Sequence, residues 1–194
     1  MRQAEGDETI GAAQLGSLTR MITAAGPAAE PPDSVSDPAA LLAGYLDYYR
    51  SVVLRKLDGM SEQELRSSRL PSGWTPLELL KHLAYVELRW LRWGFAAEDV
   101  EDPWADQGPD DRWHVGEAET ADEVRGFFLA KCESSRQIAA AARLSDTARV
   151  GGRFDNPDRP PTLSWILFHV LQEYARHAGQ LDVVRELSDG LVGE

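Results

Sequence analysis

The stretch Leu163–Leu187, LSWILFHVLQEYARHAGQLDVVREL, constrains this chain more than any other. Leu163, Leu167, Val170, Tyr174, His177, Leu181 and Val184 recur in alternating steps of four and three, the seam of a helix packed in a bundle. One seam position is a histidine, and Glu173 stands four residues before it. Two side chains so spaced lie within roughly 40° of each other on one helix face. Carboxylate and imidazole therefore point together toward the side expected to be dry. A buried carboxylate is costly unless it is paired, hydrogen-bonded or bound to a metal.

The same logic predicts three more long helices. Asp37 caps and Pro38 opens the first, over 38–57, with Leu41, Leu42, Tyr45, Tyr49 and Val52 as its apolar stripe. Thr75, Pro76 and Glu78 form a capping box that opens a helix to Trp93, with Gly94 as its stop. Leu79, Leu83, Val86, Trp90 and Trp93 make its apolar face, and His82 lies beside them. Thr120 and Glu123 open a third helix over 121–143, and the last spans 163–188. Ser61 and Glu64 start a short helix over 62–67. No segment alternates as a strand does, so the fold class is all-α, a four-helix bundle with long ordered crossover loops. Residues 1–36, rich in Ala, Gly, Pro and Ser, read as a flexible leader, and 37–190 as the domain.

The crossover between the second and third long helices carries Trp104 and Trp113. Two large aromatics need something to pack on, so both are expected to be buried at the mouth of the site. The acidic run from Glu98 to Asp111 lacks the spacing of a calcium loop and reads as a solvated face.

Composition narrows the partners. Twenty basic residues against 32 acidic ones give a net charge of −12, with no basic cluster, so no nucleic-acid partner is expected. No apolar run approaches the roughly 20 residues of a membrane span. A lone cysteine, Cys132, excludes an internal disulfide and points to a reducing cytoplasm, and nothing beside it marks an activated thiol. P-loop, dinucleotide and nucleophile-elbow motifs are absent.

Inside a bundle, His82 could meet Glu173 and His177. Two imidazoles and a carboxylate suit a divalent transition metal with positions left open for water or substrate. The structural alternative stays open: a seam histidine is commonly a hydrogen-bonded core residue, and Glu173 could pair with Arg176. His169 also lies four residues from Glu173 but on a stripe leading away from the seam, which gives it a supporting role around the site. His114, in the crossover, is a lesser candidate for a catalytic group overhanging it.

SGWTPLELLKHLAYVELRWLRWGF (72–95) and WILFHVLQEYARHAGQLDVVRELSDG (165–190) resemble the bacterial DinB-like superfamily, and within it the mini-circle protein branch, of unassigned function. The DPW and RWHV segments fit that branch too. The resemblance covers about 38–190. It implies a four-helix bundle with metal ligands at His82, Glu173 and His177. The glutamate version is similar to that of mycothiol-dependent maleylpyruvate isomerases, which bind zinc. Zn²⁺ is the ion implied, with Ni²⁺, Fe²⁺ or Mn²⁺ as substitutes. Other members are S-transferases that use a low-molecular-weight thiol such as bacillithiol. The isomerases carry an additional C-terminal domain, whereas this sequence stops soon after its last helix, which favours the simpler bundle. The function so implied is a metal-dependent transfer of a mycothiol-type thiol to a small electrophile. The alternatives are a non-catalytic metal- or ligand-binding, stress-associated bundle, or a metal-dependent hydrolase. A homodimer is compatible with the superfamily.

Overall fold

A computed structural model describes residues 29–192; most of the expected leader lies outside the described residues. Among the described residues there are four long helices and one short one: α1 (Pro38–Leu57), α2 (Glu62–Leu65), α3 (Pro76–Glu87), α4 (Ala121–Ala140) and α5 (Leu163–Asp189). Among the described residues there is no strand, and only isolated bridges pair loop segments. No helix of the described residues is long and apolar enough to cross a membrane.

Each helix begins where its side chains satisfy the free N–H groups of the first turn. Asp37 accepts from the Ala40 N–H, and Ser61, Thr75 and Thr120 each complete a capping box with the glutamate three residues on. α5 is capped by Thr162 and closed by Gly190 at φ +78°, a left-handed conformation that glycine adopts without cost.

α1 packs chiefly on α5, and α3 on α4, with α3 against α5 joining the two pairs. The seam of α5 is buried throughout: Leu163, Leu167, Val170, Tyr174, His177, Leu181 and Val184 all face inward. In α1 the seam lies one position along from the expected stripe. Leu42, Leu46, Arg50, Val53 and Leu57 are buried, while Tyr45 and Tyr49 are half-buried. The fully buried Glu87 explains the shift, because it draws Arg50 inward. Arg50 Nε and Nη2 donate to Glu87 Oε1 and Oε2 at 2.8 and 3.1 Å, and the Tyr174 hydroxyl donates to Oε1 at 2.7 Å. The Cys132 thiol lies 3.8 Å from the same oxygen. Residues of all four long helices thus meet in one buried polar cluster, with the charge on Glu87 matched by Arg50.

The second long helix departs from the expected single α-helix to Trp93. After Glu87 it continues as a π-helix, Leu88–Phe95, closed by the Ala96 N–H donating to Leu91 O. Leu88, Arg89, Trp90 and Leu91 are buried in succession, so this segment is enclosed on several sides. Arg89 is presented to the crossover and Trp90 to α5. π-turns of this kind are frequent at functional sites.

Candidate metal centre

His82 on α3 meets Glu173 and His177 on α5. One donor atom from each lies within 4.8 Å of the others. The Glu173 Oε2–His177 Nε2 separation is 3.2 Å. That is near the ~3.4 Å expected between two donors on a tetrahedral Zn²⁺ with bonds of about 2.1 Å.

Both imidazoles are anchored from behind through Nδ1. His82 Nδ1 lies 3.0 Å from Asp106 Oδ2, and His177 Nδ1 lies 2.7 Å from Gln180 Oε1. Acceptor oxygens at both Nδ1 positions put the ring protons there and leave both Nε2 lone pairs free. At His177 that lone pair then faces a carboxylate oxygen across 3.2 Å, an arrangement that calls for a cation between them. The residues therefore fit a divalent metal ion, by the same second-partner logic that fixes the tautomer of metal-bound histidines.

Asp106 was not among the residues expected to matter, and its acidic run was expected to be solvated. The structure corrects this for Asp106 alone: while Glu98, Asp99, Glu101, Asp102, Asp110 and Asp111 are exposed, Asp106 is fully buried. Its Oδ1 accepts from Arg89 Nη1 at 2.6 Å, and its Oδ2 accepts from Arg89 Nη2 at 3.1 Å as well as from His82. A tight turn of the crossover delivers it. Gln107 bridges Trp113, Gly108 N–H donates to Arg112 O at 2.7 Å, and His114 N–H donates to Asp106 O at 2.8 Å. Asp111 completes the turn at φ +60°, which aspartate tolerates better than most residues. Nothing in the local sequence separates Asp106 from its acidic neighbours; the one signal is Arg89, a charge on an apolar helix that needs a partner.

Trp113, on the other arm of the turn, stacks on His82 with ring centres 4.2 Å apart and planes 21° from parallel. It also meets His177 edge-on at 5.2 Å. It is half-buried and roofs the two imidazoles. Trp104 departs from expectation: it is 42% exposed. The Arg89 guanidinium lies 4.5 Å from its ring centre and Trp93 meets its edge, so it packs against the π-helix on one side only. His114 is exposed and lines a separate hollow of about 440 Å³ with Ser72, Trp74 and Glu78, apart from the three ligand candidates. His169, although on a stripe leading away from the seam, reaches the site. Its Nε2 lies 3.3 Å from Glu173 Oε1, so the carboxylate spans two histidines.

The titration behaviour follows from this packing. Burial pushes the His82 pKa down and the Asp106 contact only partly restores it, so the ring stays neutral, as a ligand must. Burial also raises the Asp106 carboxyl, but hydrogen bonds from His82 and Arg89 outweigh it and hold the group below its usual range. The close approach of His177, helped by His169 and His82, outweighs burial and holds the Glu173 carboxyl below its usual range. Burial lowers the His169 pKa in spite of Glu173.

No curated protein matches the chain. Among solved structures, a conserved protein from Enterococcus faecalis is similar at 18% identity with a TM-score of 0.57, over 81% of this chain and 100% of that one. At that identity the likeness shows the shared fold alone. The family model of the mycothiol S-transferases matches residues 41–190, from the first turn of α1 to the cap of α5. Since that match takes in all four long helices and both elements that carry the histidine–glutamate cluster, the chain belongs to the mycothiol S-transferase family, a DinB-like family.

Proposed function

We propose that this protein is a metal-dependent transferase that joins a low-molecular-weight thiol of the mycothiol type to a small electrophile. His82, Glu173 and His177 hold the ion. The observation that carries the reading is the convergence of three donors whose two imidazoles are each backed by a second partner and roofed by Trp113. Zn²⁺ suits this donor set, with Ni²⁺, Fe²⁺ and Mn²⁺ as substitutes. Such an ion supplies a Lewis-acid position at which a thiol gives up its proton more readily, and the thiolate is the nucleophilic form.

The chain's own residues do the rest. Asp106 holds His82 in the tautomer whose Nε2 faces the site. Arg89 keeps Asp106 ionised. His169 holds the second oxygen of Glu173 and so fixes its orientation. Trp113 limits the entry of water over the two imidazoles. The electrophile approaches from the side of the crossover. In this reading the protein works in the cytoplasm on small molecules, without nucleic acid or membrane, and a homodimer is compatible with it.

The test is elemental analysis of protein purified without added metal, followed by conjugation of mycothiol to an electrophile. About one equivalent of metal is expected in the wild type and in His169→Ala, and little in His82→Ala or His177→Ala. Metal lost from His169→Ala but kept in His82→Ala would show that the other stripe of α5 holds it. Occupancy without conjugation would favour the non-catalytic binding bundle.

A further inference from the structure

The Gly151–Gly152 turn of the second long loop presses against the end of the π-helix. Gly152 has φ +55°, and a Cβ there would lie 2.1 Å from Trp93 O, so only glycine permits this approach. The Arg153 N–H donates to the same carbonyl at 3.2 Å, and the Arg149 N–H donates to Phe95 O at 3.0 Å. The loop is thereby fixed to the helix, and Arg153 with it.

The Arg153 guanidinium carbon lies 4.2 Å from the ring centre of Trp90 and 5.7 Å from that of Trp104. The residue is half-buried. The buried arginines Arg50 and Arg89 each have an acid, Glu87 and Asp106. Among the described residues Arg153 has no ion pair and no side-chain hydrogen bond. Burial and the like charge of Arg89 both disfavour its cation. A forked donor with unused N–H groups, held between indoles, suits a planar anion.

Its position relates it to the metal centre. Trp90 lies 4.0 Å, ring centre to ring centre, from His169, which contacts Glu173. Trp104 leaves part of its ring open to solvent, a flat apolar surface for an unsaturated or aromatic body. Mycothiol carries no carboxylate, so the anion must belong to the other reactant.

We propose that Arg153, held between Trp90 and Trp104, binds the carboxylate of the electrophile, so that the substrate class is an unsaturated or aromatic electrophile bearing a carboxylate. This rests on the transferase reading of the site. In a displacement on a chloroarene, the thiol sulfur forms the new C–S bond, the C–Cl pair leaves as chloride and the thiol proton passes to the buffer.

The test pairs two probes with mycothiol: 4-chloro-3-nitrobenzoate, which is anionic, and 1-chloro-2,4-dinitrobenzene, which is neutral. Arg153→Gln should raise KM for the benzoate by about ten- to hundred-fold, as expected for loss of a charge-assisted hydrogen bond. KM for mycothiol and for the neutral probe should stay as in the wild type, and Arg153→Lys should fall between. Equal losses on both probes, an unchanged benzoate KM, or a shift in mycothiol KM instead would overturn the proposal. Wild-type turnover of the neutral probe reports the transferase reading separately. If that turnover is absent, calorimetric titration of the benzoate into wild type and Arg153→Gln still decides: binding that requires the arginine supports the anion site, and binding indifferent to it removes the site.

Discussion

Replacing Asp106 by asparagine probes the link between fold and site most directly. The two carboxylate oxygens serve three donors, His82 Nδ1 and both Arg89 Nη groups. Asparagine offers one oxygen. If that oxygen faces His82 and Arg89 Nη2, the amide NH₂ opposes Arg89 Nη1, donor against donor. If the amide is reversed, its NH₂ faces His82 Nδ1, which must then accept, and the ring proton moves to Nε2, where it blocks a ligand position. Either way Arg89, 3% exposed, loses its counter-charge. Breaking a buried ion pair costs about 3–5 kcal/mol. Because asparagine keeps one hydrogen bond and Arg89 Nη1 also donates to Pro103 O at 3.1 Å, we expect the lower end, about 3 kcal/mol, in urea unfolding of metal-free protein. Zn²⁺ affinity, read by competition with a chromophoric chelator, should fall about 10–100-fold, as when the partner of a metal-bound histidine is removed. Glu87→Gln is the control, since it breaks the other buried pair, with Arg50. It should cost comparable stability and leave Zn²⁺ affinity near wild type. Folded Asp106→Asn protein with wild-type affinity, or an equal loss of affinity in Glu87→Gln, would refute the reasoning.

Three further outcomes follow from the packing. Tyr174→Phe removes the 2.7 Å hydrogen bond to the buried Glu87 carboxylate and should cost about 1.5–3 kcal/mol in urea unfolding; a change below experimental error would mean Glu87 does not need the hydroxyl. Burial pushes the Cys132 thiol up to about 12, so iodoacetamide at pH 8 should label it only after unfolding, and rapid labelling of native protein would contradict its placement. The folded pKa of His82 lies below its unfolded value, so the unfolded chain binds the extra proton as pH falls. The stability His82 contributes is complete above about pH 6.5 and is lost as acid drives the pH through the folded value. The stability gap between metal-free wild type and His82→Gln should therefore shift against the wild type from pH 8 to pH 5.5, and a shift in its favour would reverse the assigned direction.

Periodicity and caps were sufficient for much of the architecture. The α5 seam from Leu163 to Val184 and the capping boxes at Ser61, Thr75 and Thr120 depend on residues within a turn or two of one another, and local geometry alone makes them readable. The Glu173–His177 pair was legible for the same reason, because four residues along a helix is a fixed displacement in space. That His82 arrives opposite this pair is set by the packing of α3 against α5, which is consistent with the helix pattern but not specified by it.

Tertiary structure decided the rest. Asp106 and Trp113 lie in a segment without periodicity, and the fold of the crossover puts one behind His82 and the other over it. The helix beyond Glu87 widens into a π-turn, which hydrophobic spacing does not reveal because both windings bury much the same residues. Trp104 is large and apolar, yet two guanidinium groups lie against it and leave part of it in water. The N–H of Arg153 reaches the π-helix 60 residues back along the chain only because Gly152 lets the backbones touch. Sequence determined these helices because their interactions are short in sequence. The site's supports bridge residues far apart in the chain, and chain position alone does not encode which loop residue will meet which helix.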